Sequence, residues 1–286
     1  MRYEQRVVAF IDILGFKSLL NDTIGKDGND NSDKIDEIIS AYDSIREIWS
    51  VEQTAKYSDK KISATKKISI FSDCLVVSFL IEQPSGVFST LLEIKLLIMT
   101  LISKNILCRG AISMGKFIHT DHYLFGPALV EAYTLESKAA LYPRVILDHS
   151  IIDIGTKNRN KNHDLTEEQK YVQSLLEKDS DGMFYIDYFY KAQTELDDPE
   201  YSFPGYIENL ANIIRKGLMS SSHHSKADIR VKYSWMRERF NNMVDIVTSK
   251  EAIIRLKNHG EDDLANFYRN LKKISPKKYN DILKNK

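Results

Sequence analysis

The chain opens on a continuous apolar run that ends in a single acid. Residues 7–11, Val-Val-Ala-Phe-Ile, contain no polar position and are followed by Asp12. An unbroken run of branched and aromatic residues is typical of a strand that is covered on both faces. Gly15 then permits a tight turn into a helix. Because a buried carboxylate is costly without a partner, we expect Asp12 to have one.

The following segments alternate between helical and strand periodicity. Residues 25–33 combine turn formers with charge and predict a loop, and apolar residues recur at helical spacing over 34–49. Two β-rich runs, Ile68–Phe71 and Leu75–Phe79, are joined by a short polar segment that contains Asp73. This pattern predicts a β-hairpin with Asp73 at its tip.

Later segments complete the predicted first unit. The pattern predicts a helix over 87–104, a strand over 107–120, a loop at 121–122, a helix over 127–140 and a strand over 144–148. The resulting order over the first 150 residues is β-α-α-β-β-α-β-α-β. It predicts an α+β fold with helices on one side of a mainly antiparallel sheet, as in ferredoxin-like arrangements.

The rest of the chain reads differently. Residues 155–170 are polar without an apolar period and predict an insertion or the end of the first unit, and 182–189 predict one more strand. From residue 205 the pattern is helical, with an interruption at 220–225 and a stop at Gly260. We therefore predict three regions: a core over 1–150, an additional strand region over 151–204 and a helical extension over 205–286.

Composition limits the classes of partner. Forty basic residues balance forty acidic ones among the 286 residues, so no overall field favours nucleic acid or an anionic membrane surface. The first residues do not resemble a signal peptide, and the apolar stretch 91–102 is too short to span a bilayer and predicts a buried helix. We expect a cytoplasmic protein without membrane association. Its two cysteines, Cys74 and Cys108, fit buried thiols better than zinc ligands or a disulfide.

Two acids at strand ends suggest metal chemistry. If the strands that precede Asp12 and Asp73 pair, both carboxylates project from one edge of the sheet. Such a pair can hold two divalent cations about 3.5 to 4 Å apart, which is an arrangement used for displacement at phosphorus. The main-chain carbonyl of Ile13 is a further oxygen ligand, and the helix that begins near Phe16 would direct its N–H groups at a triphosphate. The alternative is that Asp12 caps a helix and Asp73 is an ordinary turn residue.

Three motifs, in order, resemble the class III nucleotide cyclases. They are the first metal motif in "FIDILGF", the second metal hairpin in "SDCLVVSF", and the later strand, glycine turn and helix in "CRGAISMGKF" and "YLFGPALVEAYTLESKAALYPRVIL". The resemblance covers about residues 6 to 148. It implies a ferredoxin-like cyclase core, two bound Mg²⁺ or Mn²⁺ ions on Asp12, Ile13 and Asp73, and a homodimer with sites at the interface.

Departures from the family indicate the substrate. Ser69 stands where the adenylate and guanylate enzymes carry a purine-reading lysine or glutamate, and Tyr123 stands where they carry an acid or cysteine. Val130 and Thr134 replace the family's asparagine and arginine, which steady the ribose and the transition-state charge. Their loss leaves open a cyclase-like module that binds nucleotide, or joins two partners, without catalysis.

Two basic side chains can supply the missing positive charge. Arg109 is suited to clamp a phosphate, and Lys67 lies on the predicted hairpin; structural ion pairs are the alternative for each. With Ser69, Tyr123 and Phe16, Lys67 is a predicted substrate-binding residue, and Arg109 is a predicted catalytic residue beside Asp12 and Asp73.

The tail refines the resemblance. The segment "IRVKYSWMRERFNN", residues 229–242, is similar to an R-x-K-Y-x-W segment in the pyrimidine cyclases of Pycsar antiphage systems. Those enzymes make cyclic UMP or cyclic CMP on infection, and the messenger activates a separate effector. The resemblance therefore implies UTP or CTP as substrate. A serine at position 69 can donate or accept a hydrogen bond, so the choice between them stays open, with UTP favoured.

Other polar and aromatic residues are weaker candidates. His119 and His122 have a spacing that could ligate a metal, but without further placed ligands the pattern favours ordinary loop histidines. Tyr42, Phe71 and Tyr123 could stack on a pyrimidine, or could simply belong to the core.

Overall fold

The computed structural model describes residues 2–49 and 65–276. Contacts divide the chain into two compact units, Met1–Asp187 and Tyr188–Lys286. The first unit therefore extends beyond residue 150, since two strands of its sheet lie between 176 and 186. The domain boundaries predicted at 150 and 204 stay predictions.

The first unit alternates strands and helices. In chain order these are β1 Glu4–Leu14, α1 Phe16–Asp22, α2 Ser32–Ile48, β2 Lys67–Phe71, β3 Cys74–Leu80, α3 Gly86–Ser103, β4 Leu107–His119, β5 Leu124–Phe125, α4 Pro127–Lys138, β6 Val145–Leu147, α5 His149–Lys157, α6 Leu165–Ser174, β7 Leu176–Lys178 and β8 Phe184–Ile186.

These strands form one sheet in the order β2-β3-β1-β4-β6-β8-β7, with β5 paired to β4. Neighbouring strands are antiparallel except β4 and β6, which are parallel. Strand β1 lies in the middle, between β3 and β4, which explains why its apolar run is continuous. The predicted α+β class with a mainly antiparallel sheet is confirmed.

Helices cover both faces of the sheet, whereas the sequence predicted them on one side. Val8 and Phe10 of β1 pack with Ala128 and Ala132 of α4. Helix α3 lies on the opposite face, where Gly86 approaches the ring of Phe79 so closely that a Cβ would sit 2.6 Å from it. The small residues on α4 allow this helix to pack directly on the second face, and its sequence alone does not indicate which face it covers.

Helix α3 is the most apolar segment. Among the described residues it is the one helix long and apolar enough to cross a membrane, by length and composition alone, and 61% of it is buried inside the protein. Its buried residues include Leu91, Ile94 and Ile102. The predicted buried helix is confirmed, and it forms part of the core of the first unit.

The polar segment 155–170, predicted as an insertion or as the end of the first unit, contains parts of two helices of that unit. Helix α5 runs to Lys157, and α6 begins at Leu165 with a capping box in which Asp164 and Glu167 bind each other's main-chain N–H groups. A capping box is a sequence signal for the start of a helix, and the polar composition of this segment concealed it. Strand β7 was not predicted, and β8 is shorter than the predicted 182–189.

The second unit is helical. It contains α7 Pro199–Ser220, α8 Ala227–Val247, α9 Lys250–Asn258 and α10 Asp262–Asn270, with 3₁₀ turns at Tyr190–Glu195 and His224–Lys226. The predicted break at 220–225 and the stop at Gly260 are confirmed. The segment 229–242 lies in α8, where Trp235, Met236 and Phe240 are buried. Its aromatic pattern is therefore a core face of this unit.

Substitution of two glycines of α7 by alanine should change the free energy of unfolding in opposite directions. At Gly205 an added Cβ meets open space, so Gly205→Ala should raise the free energy of unfolding of this unit by about 0.5–1 kcal/mol. At Gly217 the same Cβ would lie 2.2 Å from the Tyr233 ring, so Gly217→Ala should lower it by about 1–3 kcal/mol. Urea unfolding of both variants checks this, and effects of equal sign would contradict the close packing of α7 on α8.

Candidate functional site

Asp12 lies where β1 meets the tip of the β2–β3 hairpin. It is paired with Cys74 of β3 on one side and with Arg109 of β4 on the other. The Ile13 N–H donates a hydrogen bond to the main-chain carbonyl of Asp73, at 2.9 Å. This hydrogen bond joins the end of β1 to the hairpin turn. Asp12 on β1 and Asp73 in the turn therefore lie next to each other.

The hairpin turn is fixed by local contacts. Ser72 has a left-handed backbone with φ 49°. The Tyr42 hydroxyl, on α2, donates a hydrogen bond to the Ser72 carbonyl. The Tyr42 ring also packs edge-on against Phe16, with ring centroids 6.4 Å apart. Tyr42 therefore supports the turn. Its hydroxyl already has a partner within the protein and does not require a nucleobase to bind.

The ligating atoms of Asp12, Asp73 and Cys74 all lie within 4.8 Å of one another. Among the described residues this is the one such group of histidine, cysteine and acidic side chains that could hold a metal ion. Asp12 and Asp73 thus meet at one edge of the sheet, as their sequence positions suggested. Carboxylate oxygens suit Mg²⁺ and Mn²⁺, so the donor set fits the expected cations, whereas the Cys74 thiol is a softer donor.

Charge around the acids is negative overall. Arg109 Nε lies 2.5 Å from Glu136 Oε1 and 3.5 Å from Asp12 Oδ2, so one guanidinium stands between two carboxylates. Asp12, Asp73 and Glu136 together carry three formal negative charges against this one positive charge. A cluster of this kind favours a bound cation.

The pKa values of the two cysteines reflect the same negative charge. Burial, together with the charges of Asp73, Asp12 and Glu136, raises the pKa of Cys74 to about 12. Burial, together with the charge of Asp12, likewise raises the pKa of Cys108 to about 12. Both thiols are therefore protonated at neutral pH. The sequence did not place Cys74 among the acids, although its position next to Asp73 was the available signal.

Phe16 and Lys67, two predicted substrate-binding residues, lie on α1 and β2. Phe16 is the first residue of α1, after Gly15 in the left-handed conformation, and its side chain is buried. Lys67 begins the edge strand β2 and is exposed. Neither the Phe16 ring nor the Lys67 ammonium belongs to the acid cluster, so their proposed contacts with a substrate stay predictions.

Ser69 belongs to a second polar group on the same face of the sheet. Its hydroxyl lies 2.9 Å from His119 Nε2, and His119 Nδ1 lies 2.8 Å from the Ser78 hydroxyl. Arg6 Nε donates a hydrogen bond to that hydroxyl at 2.9 Å. The sequence missed Arg6 and Ser78. The signal was alternation, since Arg6 shares a face of β1 with Val8, Phe10 and Asp12.

His119 is buried at the end of β4 and is not a loop residue. Both ring nitrogens are engaged by serines, so it has no nitrogen left for a metal, and His122 is exposed in the turn that follows. Tyr123, also exposed, lies in the same turn, where its N–H is bound by the Thr120 hydroxyl. Tyr123 therefore lies close in sequence to His119, the histidine that contacts Ser69.

The buried histidine predicts a pH dependence of stability. Burial, together with the charges of Arg6 and Lys67, lowers the pKa of His119 from 6.5 to about 4, against a smaller opposing effect of Asp121. Between these two pH values the unfolded chain binds a proton that the folded chain does not, so this residue's contribution to stability falls as the pH falls from 6.5 to about 4. Urea unfolding at several pH values should show a smaller loss in His119→Asn, and an equal loss would contradict a neutral buried histidine.

No protein-family model matches the sequence, and no curated protein does so either. The solved structures that it resembles are adenylyl and guanylyl cyclase domains. One is the crystal structure of the adenylyl cyclase CyaB from P. aeruginosa, with a TM-score of 0.43 and 13% identity over 65% of this chain and 95% of that chain.

Two others give similar values. The monomeric guanylyl cyclase domain of the RhoGC fusion protein from the aquatic fungus Blastocladiella emersonii has a TM-score of 0.39 and 12% identity over 65% of this chain and 96% of that one. A bacterial light-regulated adenylyl cyclase has a TM-score of 0.37 and 16% identity over 53% and 79%. All three TM-scores lie below 0.5.

Val130 and Thr134, at the two positions where the cyclase family carries asparagine and arginine, lie on α4. Val130 is 64% exposed, and the Thr134 hydroxyl donates to the Val130 carbonyl within the helix. They line an open groove of about 560 Å³ with Tyr3, Phe125 and Leu135. This surface is apolar, so any positive charge at the site must come from elsewhere; Arg109 already lies against Asp12.

Proposed function

We propose that this protein is a metal-dependent nucleotidyl cyclase that converts UTP or CTP into the 3′,5′-cyclic monophosphate and pyrophosphate. The observation that carries the proposal is the convergence of Asp12 and Asp73, with ligating atoms within 4.8 Å, in the motif order of the class III cyclases. The negative charge of the cluster supports the binding of two Mg²⁺ or Mn²⁺ ions. The absence of purine-reading residues at Ser69 and Tyr123 supports a pyrimidine.

Each site residue has a proposed task. Asp12, Asp73 and the main-chain carbonyl of Ile13 would hold the two cations. When bound, such ions lower the pKa of the ribose 3′-hydroxyl and neutralise the triphosphate. Arg109 would place its guanidinium near the α-phosphate, where the bond from the 3′-oxygen forms and the bond to the departing pyrophosphate breaks.

Four residues would bind the rest of the substrate. The N–H groups at the start of α1, from Phe16, and the exposed ammonium of Lys67 would contact the phosphates. Ser69 and Tyr123 would contact the base.

We also propose the biological setting from the resemblance of residues 229–242. The cyclic nucleotide would be a second messenger in antiphage defence, made in the cytoplasm and read by a separate effector. Neither nucleic acid nor a membrane is expected as a partner, in line with the balanced charge of the chain. Phage challenge of cells that express either the wild-type chain or its Asp12→Asn variant tests this setting.

Incubation of the full chain with each of the four nucleoside triphosphates and Mn²⁺, followed by mass spectrometry, tests the activity. We expect cyclic UMP or cyclic CMP together with pyrophosphate. Product from ATP or GTP alone would replace the pyrimidine assignment with the adenylate or guanylate alternative.

A second candidate is a cyclase-like module that binds nucleotide without catalysis, and the apolar pair Val130 and Thr134 favours it. Thermal stabilisation by a nucleotide, with no pyrophosphate released over hours, would support this module over the enzyme.

We further propose that two copies complete each site, with the acids from one and Ser69 and Tyr123 from the other. The exposed apolar residues beside the cluster support a homodimer, since Val130 is 64% exposed and Tyr133 is 55% exposed. Tyr133 also contacts Phe10, which lies two residues before Asp12 on β1.

Mixing two inactive variants tests this sharing. Asp12→Asn lacks a metal ligand, and Ser69→Trp fills the proposed base position. After subunit exchange half of the dimers are mixed, and each has one intact site, so about a quarter of the wild-type activity should return. No recovery in a mixture that demonstrably exchanges subunits would show that each chain has a complete site of its own.

A further inference from the structure

A continuous chain of hydrogen bonds leads from a buried arginine to the half-buried Ser69. Arg6, Ser78 and His119 are 3%, 0% and 5% exposed, so water does not compete for their contacts. Arg6 also binds the carbonyls of Ser78 and Thr65 and the carboxylate of Glu4, which fix the guanidinium in place. Ser69 is the end of the chain that reaches the surface.

The direction of each hydrogen bond follows from its fixed end. A guanidinium only donates, so the Ser78 oxygen accepts from Arg6 Nε and must direct its own hydrogen elsewhere. Among the described residues, its other side-chain neighbour within hydrogen-bond distance is His119 Nδ1. Ser78 therefore donates to Nδ1, because the reverse arrangement would leave a buried hydroxyl hydrogen without an acceptor.

The same direction passes through the ring. A neutral imidazole that accepts at Nδ1 carries its hydrogen on Nε2. The lowered pKa of His119 agrees with a neutral ring at physiological pH. Nε2–H then donates to the Ser69 oxygen at 2.9 Å, so the Ser69 hydrogen is not directed at His119 and can be donated to another group.

We propose that the Arg6–Ser78–His119–Ser69 chain is a specificity device that holds Ser69 as a hydrogen-bond donor to the substrate's base. The inference rests on the proposed function for the identity of that substrate. A donor at this position pairs with an exocyclic carbonyl and meets an exocyclic amino group unfavourably. The site therefore selects uracil, which carries a carbonyl at C4, over cytosine, which carries an amino group there. His119 is a positioning residue in this scheme, since it acts through Ser69.

The proton order can be measured without any nucleotide. Two-bond ¹H–¹⁵N correlation spectra of the wild-type protein at pH 7 distinguish the tautomers of each histidine. We expect the Nε2–H form for the signal that disappears in His119→Asn. The Nδ1–H form or an imidazolium at this residue would overturn the inference, whether or not the protein is a cyclase.

Binding of 3′-deoxy nucleotides tests the selectivity, because 3′-deoxy-UTP and 3′-deoxy-CTP lack the attacking hydroxyl and cannot be cyclised. With Mn²⁺ present, the uridine analogue should bind the wild-type protein about 10- to 100-fold more tightly. The ratio should fall towards one in Ser69→Ala and in His119→Asn. In the matched control His122→Asn, which changes the exposed histidine of the same turn, the ratio should stay as in the wild type.

The outcomes separate this inference from the proposed function. Preferential binding of the uridine analogue with no cyclic product from UTP would retain the specificity device and reject the enzyme. Cyclic product from both pyrimidines with equal binding of the two analogues would retain the enzyme and reject the device. If His119→Asn does not fold, the ratio of the two analogue affinities in Ser69→Ala still decides the matter.

Discussion

Asp12→Asn is expected to lower the rate of cyclisation by about 100-fold or more, with the fold retained. The substitution keeps the size of the side chain and the main-chain pairing of β1 with β3 and β4. It removes one of the two carboxylates whose ligating atoms converge with Cys74. An amide oxygen is a weaker ligand for a divalent cation, so the apparent affinity for Mn²⁺ should fall as well.

The measurement is the rate of pyrophosphate release from UTP and CTP over a range of Mn²⁺ concentrations. Asp43→Asn is the matched control, because Asp43 is an exposed acid of α2 whose partner, Arg46, is exposed as well. The control should keep the wild-type rate. Undiminished turnover by a folded Asp12→Asn protein would reject the metal mechanism.

The convergence of the two acids could be predicted from the sequence because each follows a β-rich run. Asp12 follows the run of β1, a strand that continues to Leu14, and Asp73 lies in the turn between β2 and β3, so pairing of β1 with β3 is enough to bring them together. The Ile13–Asp73 main-chain contact is the direct result of that pairing. Strand ends and hairpin tips are defined by short-range patterns, which sequence periodicity captures.

The second polar group could not be predicted in the same way. His119 joins Ser69 across 50 residues and Ser78 across 41, and β1 lies between the strands that carry them. Such contacts depend on strand order and register, which a local pattern does not contain. The strand predicted over 107–120 contained His119, but the spacing of His119 and His122 favoured loop histidines, and a local pattern does not show that the His119 ring is buried between two serines of other strands.

The covering of both sheet faces has a similar cause. A helix with small apolar residues, such as α4 with Ala128 and Ala132, can pack closely on either face. The face is decided by the connection from β4 through the short strand β5 and Gly126, whose added Cβ would meet the Lys116 carbonyl at 2.6 Å. This placement brings Glu136 to Arg109, and so gives the acid cluster its third carboxylate.

Arg109→Met is expected to lower the free energy of unfolding by about 2 to 3 kcal/mol, in addition to any effect on activity. The side chain of Glu136 is 3% exposed, and its carboxylate lies 2.5 Å from the guanidinium. Without Arg109 the acids Asp12, Asp73 and Glu136 lose the guanidinium that lies against two of them, so repulsion adds to the cost of burial. Mn²⁺ should therefore raise the melting temperature of Arg109→Met more than that of the wild type, since a bound cation restores positive charge.

A double-mutant cycle isolates this effect. Glu136→Gln alone should cost about 1 kcal/mol, and the double variant Arg109→Met with Glu136→Gln should recover part of the loss, with a coupling energy of about 1 to 3 kcal/mol. Arg46→Met is the control, because the Arg46–Asp43 pair is exposed and its removal should cost less than about 0.5 kcal/mol. Strictly additive losses would mean that Arg109 stabilises the sheet through its packing. In that case the guanidinium would not serve to balance the acids, and the cluster would hold its negative charge with no help from β4.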